Sequence, residues 1–183
     1  QVLKIMRLLW SQDNVTYPNK YYQIENVSLL PKTVQKPGVP IWIASNDVDP
    51  GLKRVALLGD AWMTNLPSID VFKESWKKIE SYAAEAGRDA KKIHRSLYLT
   101  VHVGSDGEKA RKEGGEFLSA YYHKTFEAVA KQLVVKCGST QEVADFIQAY
   151  ADAGIETFVI RFAANDQMGH LQTFTESILP QFK

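Results

Sequence analysis

Three small residues follow an apolar stretch in the first third of the chain, in a pattern that favours anion binding. They are Ala44, Ser45 and Asn46. The stretch at 41–43 predicts a buried strand, and a helix predicted to begin at Asp49-Pro50 would present free backbone amides and the positive end of its dipole to a ligand. The carboxylates of Asp47 and Asp49 oppose this interpretation. The alternative is an ordinary loop in which Asp49 caps the helix.

Arg161 is the second candidate for ligand contact, because it interrupts an apolar strand pattern at 157–162. The C-terminal end of such a strand faces the catalytic mouth in an α/β barrel, where cationic groups commonly meet anionic ligands. We therefore predict that Arg161 binds substrate. The alternative is a buried ion pair with a carboxylate such as Asp60.

The remaining reactive side chains give weaker indications. The four histidines lack the spacing of metal ligands and no Ser-His-Asp set can be assembled, so no metal site and no hydrolase triad are predicted. Cys137, just before the helix that Ser139 would cap, is either a reactive thiol or a buried small residue. We predict Trp42 and Trp62 as core residues. The cluster at 121–123 suits either an aromatic ligand or helix packing.

Composition excludes several classes of protein. The 22 basic and 21 acidic residues give a formal charge of +1 without long blocks of one sign, so nucleic acid is not an expected partner. No apolar run approaches the roughly 20 residues that a membrane-spanning helix needs. A single cysteine cannot form an internal disulfide, so we expect a cytoplasmic protein without membrane contact.

Strands and helices that alternate along the chain must position these residues. Parallel strands are predicted near 41–45, 60–64, 96–103 and 157–162, in that spatial order. Apolar residues three and four apart predict a helix from Ser68 to Gly87. Ser139 and Glu142 form a capping-box pattern, and 107–135 is predicted to be largely helical with a possible break at Gly114-Gly115.

The N-terminal part looks different. Apolar residues at helical spacing begin at Val2 with no start signal, so the chain is expected to begin inside a helix and to lack a preceding part. β-prone residues on both sides of 18–20 predict a hairpin, and the prolines between 29 and 40 predict an extended connector. The segment 11–40 is thus a hairpin and connector within one domain.

Several segments together resemble the luciferase-like monooxygenase family, in their order and spacing. These segments are 17–22 (YPNKYY), 29–37 (LLPKTVQKP), 40–44 (PIWIA), 54–62 (RVALLGDAW) and 158–162 (FVIRF). The resemblance extends over nearly the whole chain, from Trp10 to Pro180.

The resemblance implies an α/β fold that is the C-terminal half, strands 5–8, of a TIM (β/α)₈ barrel. Residues 1–183 would then be a partial domain whose N-terminal half is missing. In the family the loop after the fifth strand holds the phosphate of the cofactor, and the matching positions are Ala44, Ser45 and Asn46. The family groups that face the flavin ring lie mostly on the first four strands, so no catalytic residue is assigned.

The resemblance leaves three functions open. The first is a monooxygenase that uses reduced FMN and oxygen on a small organic substrate, with a flavin reductase as a possible partner and the fragment alone inactive. The second is hydride transfer with the deazaflavin F420, which presents a phosphate to the same loop. The third is a non-catalytic flavin-binding or structural subunit. Because a half barrel has two open edges, we also expect a homo-oligomer.

Overall fold

Apolar runs and helix-capping residues alternate along the sequence, and strands and helices alternate with them. A computed structural model describes residues 1–182. The strands are β1 (Trp42–Ala44), β2 (Ala61–Thr64), β3 (His94–Gly104), β4 (Val135–Ser139) and β5 (Thr157–Phe162). The helices are α1 (Val2–Ser11), α2 (Asp49–Leu58), α3 (Ile69–Glu85), α4 (Gly107–Tyr122), α5 (Phe126–Ala130), α6 (Thr140–Asp152) and α7 (Gln167–Ser177), with short 3-10 helices at Ala90–Lys92 and Leu179–Phe182.

All strand pairs in the sheet are parallel, and β1, β2, β3 and β5 lie side by side in the predicted order. Ser96 and Leu97 of β3 pair with both β2 and β5, so these two strands lie on opposite edges of β3. Thr100 and Val101 pair with both β4 and β5, which places β4 beyond the end of β2 on the same edge. The sequence did not predict β4, which lies between the helical stretch predicted at 107–135 and the helix that Ser139 was expected to cap.

The register divides the side chains of the sheet between two faces, because paired residues of parallel strands point the same way. On one face Ile43, Trp62 and Leu97 form a core with residues of α2, α3 and α6. The other face, here called the open face, carries Trp42, Ala44, Met63, Tyr98 and Arg161. Trp42 is 42% exposed there, so its prediction as a core residue is wrong, whereas Trp62 is fully buried as predicted.

Helix α4 covers one end of the open face. A Cβ on Gly114 would lie 2.5 Å from Cys137 Sγ and 2.6 Å from His102 Cβ, which shows that the helix backbone lies directly against β3 and β4. The predicted break at Gly114-Gly115 is wrong, since α4 continues through both glycines. The glycines permit close packing instead of ending the helix.

Helix ends follow local sequence at most positions. Ser68 accepts a hydrogen bond from Val71 N at the start of α3, and the capping box of Ser139 and Glu142 opens α6. Both agree with the predictions. Helix α2 begins at Asp49-Pro50 as predicted, but Asp49 does not cap it, since Val48 is the N-cap residue and no side chain caps the helix.

The segment before β1 contains little regular structure. Val15 pairs with Val27 in an isolated antiparallel bridge, and Tyr17 N donates to Ile24 O at 2.9 Å. Helix α1 is tied to the sheet by Arg7, which donates to Asp60 Oδ2 at 2.8 Å. Asp60 also accepts from Ile41 N at 2.7 Å, so this carboxylate joins α1 to the start of β1.

Candidate functional site

The loop after β1 lines a cavity of about 330 Å³ beside the C-terminal ends of β1 and β2 and the middle of β3. Ala44, Ser45 and Asn46, which the sequence singled out, all lie in this wall. The other lining residues come from the end of β2 and from β3; they are Met63, Thr64, Asn65 and Tyr98. The C-terminal edge of a parallel sheet is the usual place for a ligand in an α/β protein.

Hydrogen bonds to β2 hold this loop in place. The Asn46 side-chain oxygen accepts from the Thr64 hydroxyl at 3.2 Å and from Asn65 N at 3.3 Å. Trp62 Nε1 donates to Ser45 O at 2.7 Å. With its oxygen engaged, the Asn46 side chain keeps its amide nitrogen available as a donor, since that nitrogen has no hydrogen-bond partner among residues 1–182.

Four consecutive backbone amides, from Asn46 to Asp49, donate to no other group within the described part of the chain. Pro50 has no amide hydrogen, and Gly51 N is already used by Val48 O at 2.9 Å. A Cβ on Gly51 would collide with the Ser45 hydroxyl, so glycine lets the loop fold tightly onto α2. A row of unpaired amides at a helix start fits a phosphate group.

Lys78 pairs with one of the two carboxylates that argued against a phosphate here. Its Nζ lies 3.0 Å from Asp49 Oδ1. The hydrogen bond and charge of Asp49 raise the pKa of Lys78, and the charge of Asp47 adds to this effect. Asp49 therefore forms an ion pair with α3 instead of capping α2.

Arg161 lies on the open face and contacts two aromatic residues of α4. It donates to the Tyr122 hydroxyl at 2.6 Å, and its guanidinium carbon lies 4.4 Å from the centre of the Tyr121 ring. The expected alternative partner is wrong, because Asp60 pairs with Arg7. No carboxylate forms an ion pair with Arg161 in residues 1–182.

A second cavity, of about 550 Å³, lies between α4 and the ends of β3 and β5. His102 on β3 lines it, is only 6% exposed, and has its Nδ1 2.8 Å from Ala163 O. Its Nε2 lies 3.5 Å from Glu113 Oε2 on α4. Sequence reasoning tested this histidine only for metal spacing and missed the cavity; its alternation with Tyr98 and Thr100 along β3 was the available signal.

Two other groups near this cavity have shifted pKa values. Burial, followed by the charge of His102, lowers the pKa of His170, whose ring centre lies 4.3 Å from that of His102. Burial raises the pKa of the Cys137 thiol to about 11. Cys137 is therefore a buried, unreactive residue, as the second of its two interpretations predicted.

No group of side chains in residues 1–182 is arranged to hold a metal ion. Within the same residues, no helix is both long and apolar enough to cross a bilayer.

The parallel order of β1, β2, β3 and β5, with ligand-sized cavities beside them, is the architecture of part of an α/β barrel. The family model described as luciferase-like monooxygenase matches residues 2–157, and the chain belongs to this family. The α/β fold expected from the sequence, that of strands 5–8 of a TIM barrel, is confirmed.

Curated relatives are about 21–25% identical to this chain over the aligned residues. F420-dependent glucose-6-phosphate dehydrogenase from Kineococcus radiotolerans is 25% identical over 98% of this chain and 58% of its own length. The enzyme of the same name from Nocardia farcinica is 25% identical over 100% of this chain and 60% of its own length. The chain thus spans less than two thirds of these relatives.

Solved structures with the same fold include an F420-dependent dehydrogenase and a monooxygenase. An F420-dependent secondary alcohol dehydrogenase, in complex with an F420-acetone adduct, superposes with a TM-score of 0.78, at 22% identity, over 97% of this chain and 59% of its own. The monooxygenase RslO1 from Streptomyces bottropensis superposes with a TM-score of 0.77, at 20% identity, over 97% of this chain and 58% of its own.

Proposed function

We propose that the protein acts in an F420-dependent oxidoreductase that moves a hydride between the deazaflavin and a small organic substrate. The row of unpaired amides from Asn46 to Asp49 carries this proposal, because it fits the phosphate of such a cofactor. The curated relatives support the choice of F420, since their names specify that cofactor. The cytoplasm remains the expected compartment.

Each part of the loop has a separate task in this proposal. The backbone amides and the Asn46 side-chain amide donate hydrogen bonds to the phosphate, and Thr64 fixes Asn46 in the required orientation. Lys78 reduces the repulsion from Asp49. Met63 and Tyr98 provide the apolar wall of the cavity beside the loop. The deazaflavin, when bound, supplies the hydride chemistry, while these residues bind and orient it.

A second candidate is a monooxygenase that uses reduced FMN from a separate flavin reductase. The description of the family and the RslO1 structure favour it. FMN would present its phosphate to the same loop, so the two candidates differ in the cofactor rather than in the residues that hold it.

Fluorescence titrations of the chain with F420 and with FMN test the proposal. We expect saturable binding of F420 with a Kd about tenfold or more below that of FMN, a difference of about 1.4 kcal/mol. Tighter binding of FMN would favour the monooxygenase. If neither cofactor binds, both enzymatic proposals are contradicted, and a non-catalytic structural subunit is favoured.

A further inference from the structure

The 550 Å³ cavity under α4 has a lining that accepts hydrogen bonds more than it donates them. Glu113 and Glu116 contribute carboxylates from α4. His102 Nδ1 lies 2.8 Å from a carbonyl oxygen, which can only accept, so this nitrogen carries the proton. In the neutral imidazole Nε2 is then an acceptor as well. A ligand that fits this lining must bring donors.

His102 is the part of this lining that points most clearly to a ligand. It is more than nine-tenths buried, yet its Nε2 makes no hydrogen bond to any group in residues 1–182, and the nearest carboxylate oxygen, from Glu113, is 3.5 Å away. No fully buried side-chain nitrogen or oxygen in residues 1–182 lacks a partner, so His102 Nε2 is open to the cavity that this residue lines. A donor group in the cavity would satisfy Nε2.

The charges around the cavity favour a cation. No lysine or arginine is among its lining residues within the described part of the chain. Lys109 Nζ lies 3.8 Å from Glu113 Oε1, but its side chain is 71% exposed, so solvent screens this pair. Arg161 is held by Tyr121 and Tyr122 outside the lining. Glu116 forms no ion pair in residues 1–182.

An aromatic surface lies next to these carboxylates. Phe117 and Tyr121 line the cavity with nearly parallel rings, 6.1 Å apart between centres. Because Arg161 already lies against Tyr121, the ring of Phe117 is the one left for a ligand. An aromatic face beside carboxylates suits an organic cation with a flat apolar part.

We propose that this cavity binds a protonated amine attached to a flat apolar group, with the ammonium between Glu113 and Glu116 and one N–H donated to His102 Nε2. The inference rests on the proposed oxidoreductase function because it names the substrate class of that enzyme. It also predicts that the cavity rejects phosphorylated substrates such as the one in the relatives' name, since two carboxylates repel a phosphate.

Isothermal titration calorimetry of the chain with benzylamine, benzyl alcohol and benzoate tests this inference without any cofactor. We expect benzylamine to bind at least about tenfold more tightly than benzyl alcohol, and benzoate to show no saturable binding. Equal or tighter binding of the alcohol or of benzoate would overturn the proposal. Since no cofactor is present, this failure is distinguishable from a failure of the cofactor titrations.

Charge variants locate the binding. The double variant Glu113→Gln with Glu116→Gln should lose the preference for benzylamine over benzyl alcohol. Lys109→Gln should leave the preference nearly unchanged, because solvent already screens the charge of Lys109. The double variant Glu80→Gln with Glu85→Gln, an equal change of charge on the exposed surface of α3, is the matched control and should change nothing. Circular dichroism and thermal unfolding check that each variant is folded. An unchanged preference in the folded double variant would refute the assignment to this cavity.

Discussion

Asn46 combines two tasks in one side chain, since its oxygen fixes the loop and its nitrogen is left for a ligand. Asn46→Asp keeps an oxygen for Thr64 and Asn65 but replaces the free donor by a negative charge. We expect this variant to weaken F420 or FMN binding by about 1–3 kcal/mol, through loss of a charge-assisted hydrogen bond. Fluorescence titration measures the change.

A variant of the neighbouring residue Asp47 serves as the control, because it should change cofactor binding in the opposite direction. Asp47 is exposed and adds negative charge beside the same amides, so Asp47→Asn should strengthen cofactor binding or leave it unchanged. The double variant Ser45→Ala with Asn46→Ala should also weaken binding by about 1–3 kcal/mol. If all three proteins bind the cofactor like the parent, the loop is an ordinary turn.

The contact between Glu156 and Arg95 is sensitive to acid. Burial, the largest single influence, raises its pKa, but hydrogen bonds from the Arg95 side chain and backbone together with the charges of Arg95 and His94 outweigh it, and the net pKa is lowered. The stabilisation is therefore present above the ordinary carboxyl pKa and is lost as pH falls through the lowered value.

We expect the free energy of unfolding of Glu156→Gln to fall less steeply with acid, below about pH 4.3, than that of the parent protein. The effect is small because the Glu156 side chain is 40% exposed. Urea unfolding between pH 3 and pH 6 measures it. Gln141→Glu, which adds an exposed carboxyl on α6, is a suitable comparison; identical slopes for Glu156→Gln and the parent would contradict the prediction.

At the scale of elements, the two adjacent glycines of α4 should respond in opposite directions to alanine. A Cβ at Gly114 would press on His102 and Cys137, so Gly114→Ala should destabilise the protein by about 1–3 kcal/mol despite the better helix propensity of alanine. At Gly115 the nearest atom, Phe126 Cγ, would be 3.5 Å away. Gly115→Ala should therefore stabilise by about 0.5–1 kcal/mol.

Denaturant unfolding of the two variants measures the difference directly. Both variants have the same composition and lie in the same helix, so each serves as the control of the other. Similar stabilities would mean that α4 does not lie as closely on β3 and β4 as the structure has it. Gly114→Ala should also alter the cavity under α4, because the helix must move away from His102 to relieve the contact.

The elements that the sequence predicted well are those with strong local signals. The helix at 69–85 shows a clear apolar period and a serine cap, and the four main strands are apolar runs with breaks on both sides. Strand β4 was missed because Val135 to Ser139 is short and contains Lys136 and Gly138, which are weak strand formers. Its pairing with β3 is a tertiary contact that no local pattern shows.

The partners of side chains were harder to predict than the elements. The loop at 44–46 could be named because it follows a strand directly, whereas the actual contacts of Arg161 depend on where α4 lies. That position depends on the packing of Gly114 against His102 and Cys137, a tertiary contact that no local pattern shows. The second cavity was missed for the same reason.

At the scale of the whole molecule, the sheet leaves two strands with a free edge within residues 1–182. β1 pairs only with β2, and β5 pairs only with β3, while Trp42 on the open face is 42% exposed. Unpaired strand edges and exposed apolar faces favour association with another chain. We therefore propose that this polypeptide assembles with another copy of itself or with a complementary fragment.

Light scattering on a sample of verified mass tests this proposal. We expect a dimer or larger assembly at micromolar concentration. Trp42→Lys, which places a charge on the open face, should shift the assembly toward monomer, while Val34→Lys, at a residue that is already 97% exposed, should not. A stable monomer without binding of a dye for exposed apolar surface would contradict the proposal.

The two cavities have walls from separate stretches of the chain. The first cavity depends on the loop after β1 and on the end of β2. The second is covered by α4, which belongs to the long connection between β3 and β4. The connection can therefore be exchanged while the loop at 44–49 stays intact. Different helical connections can therefore be combined with the same cofactor-binding loop, by evolution or by protein engineering. Substrate preference can then change while the sheet stays the same.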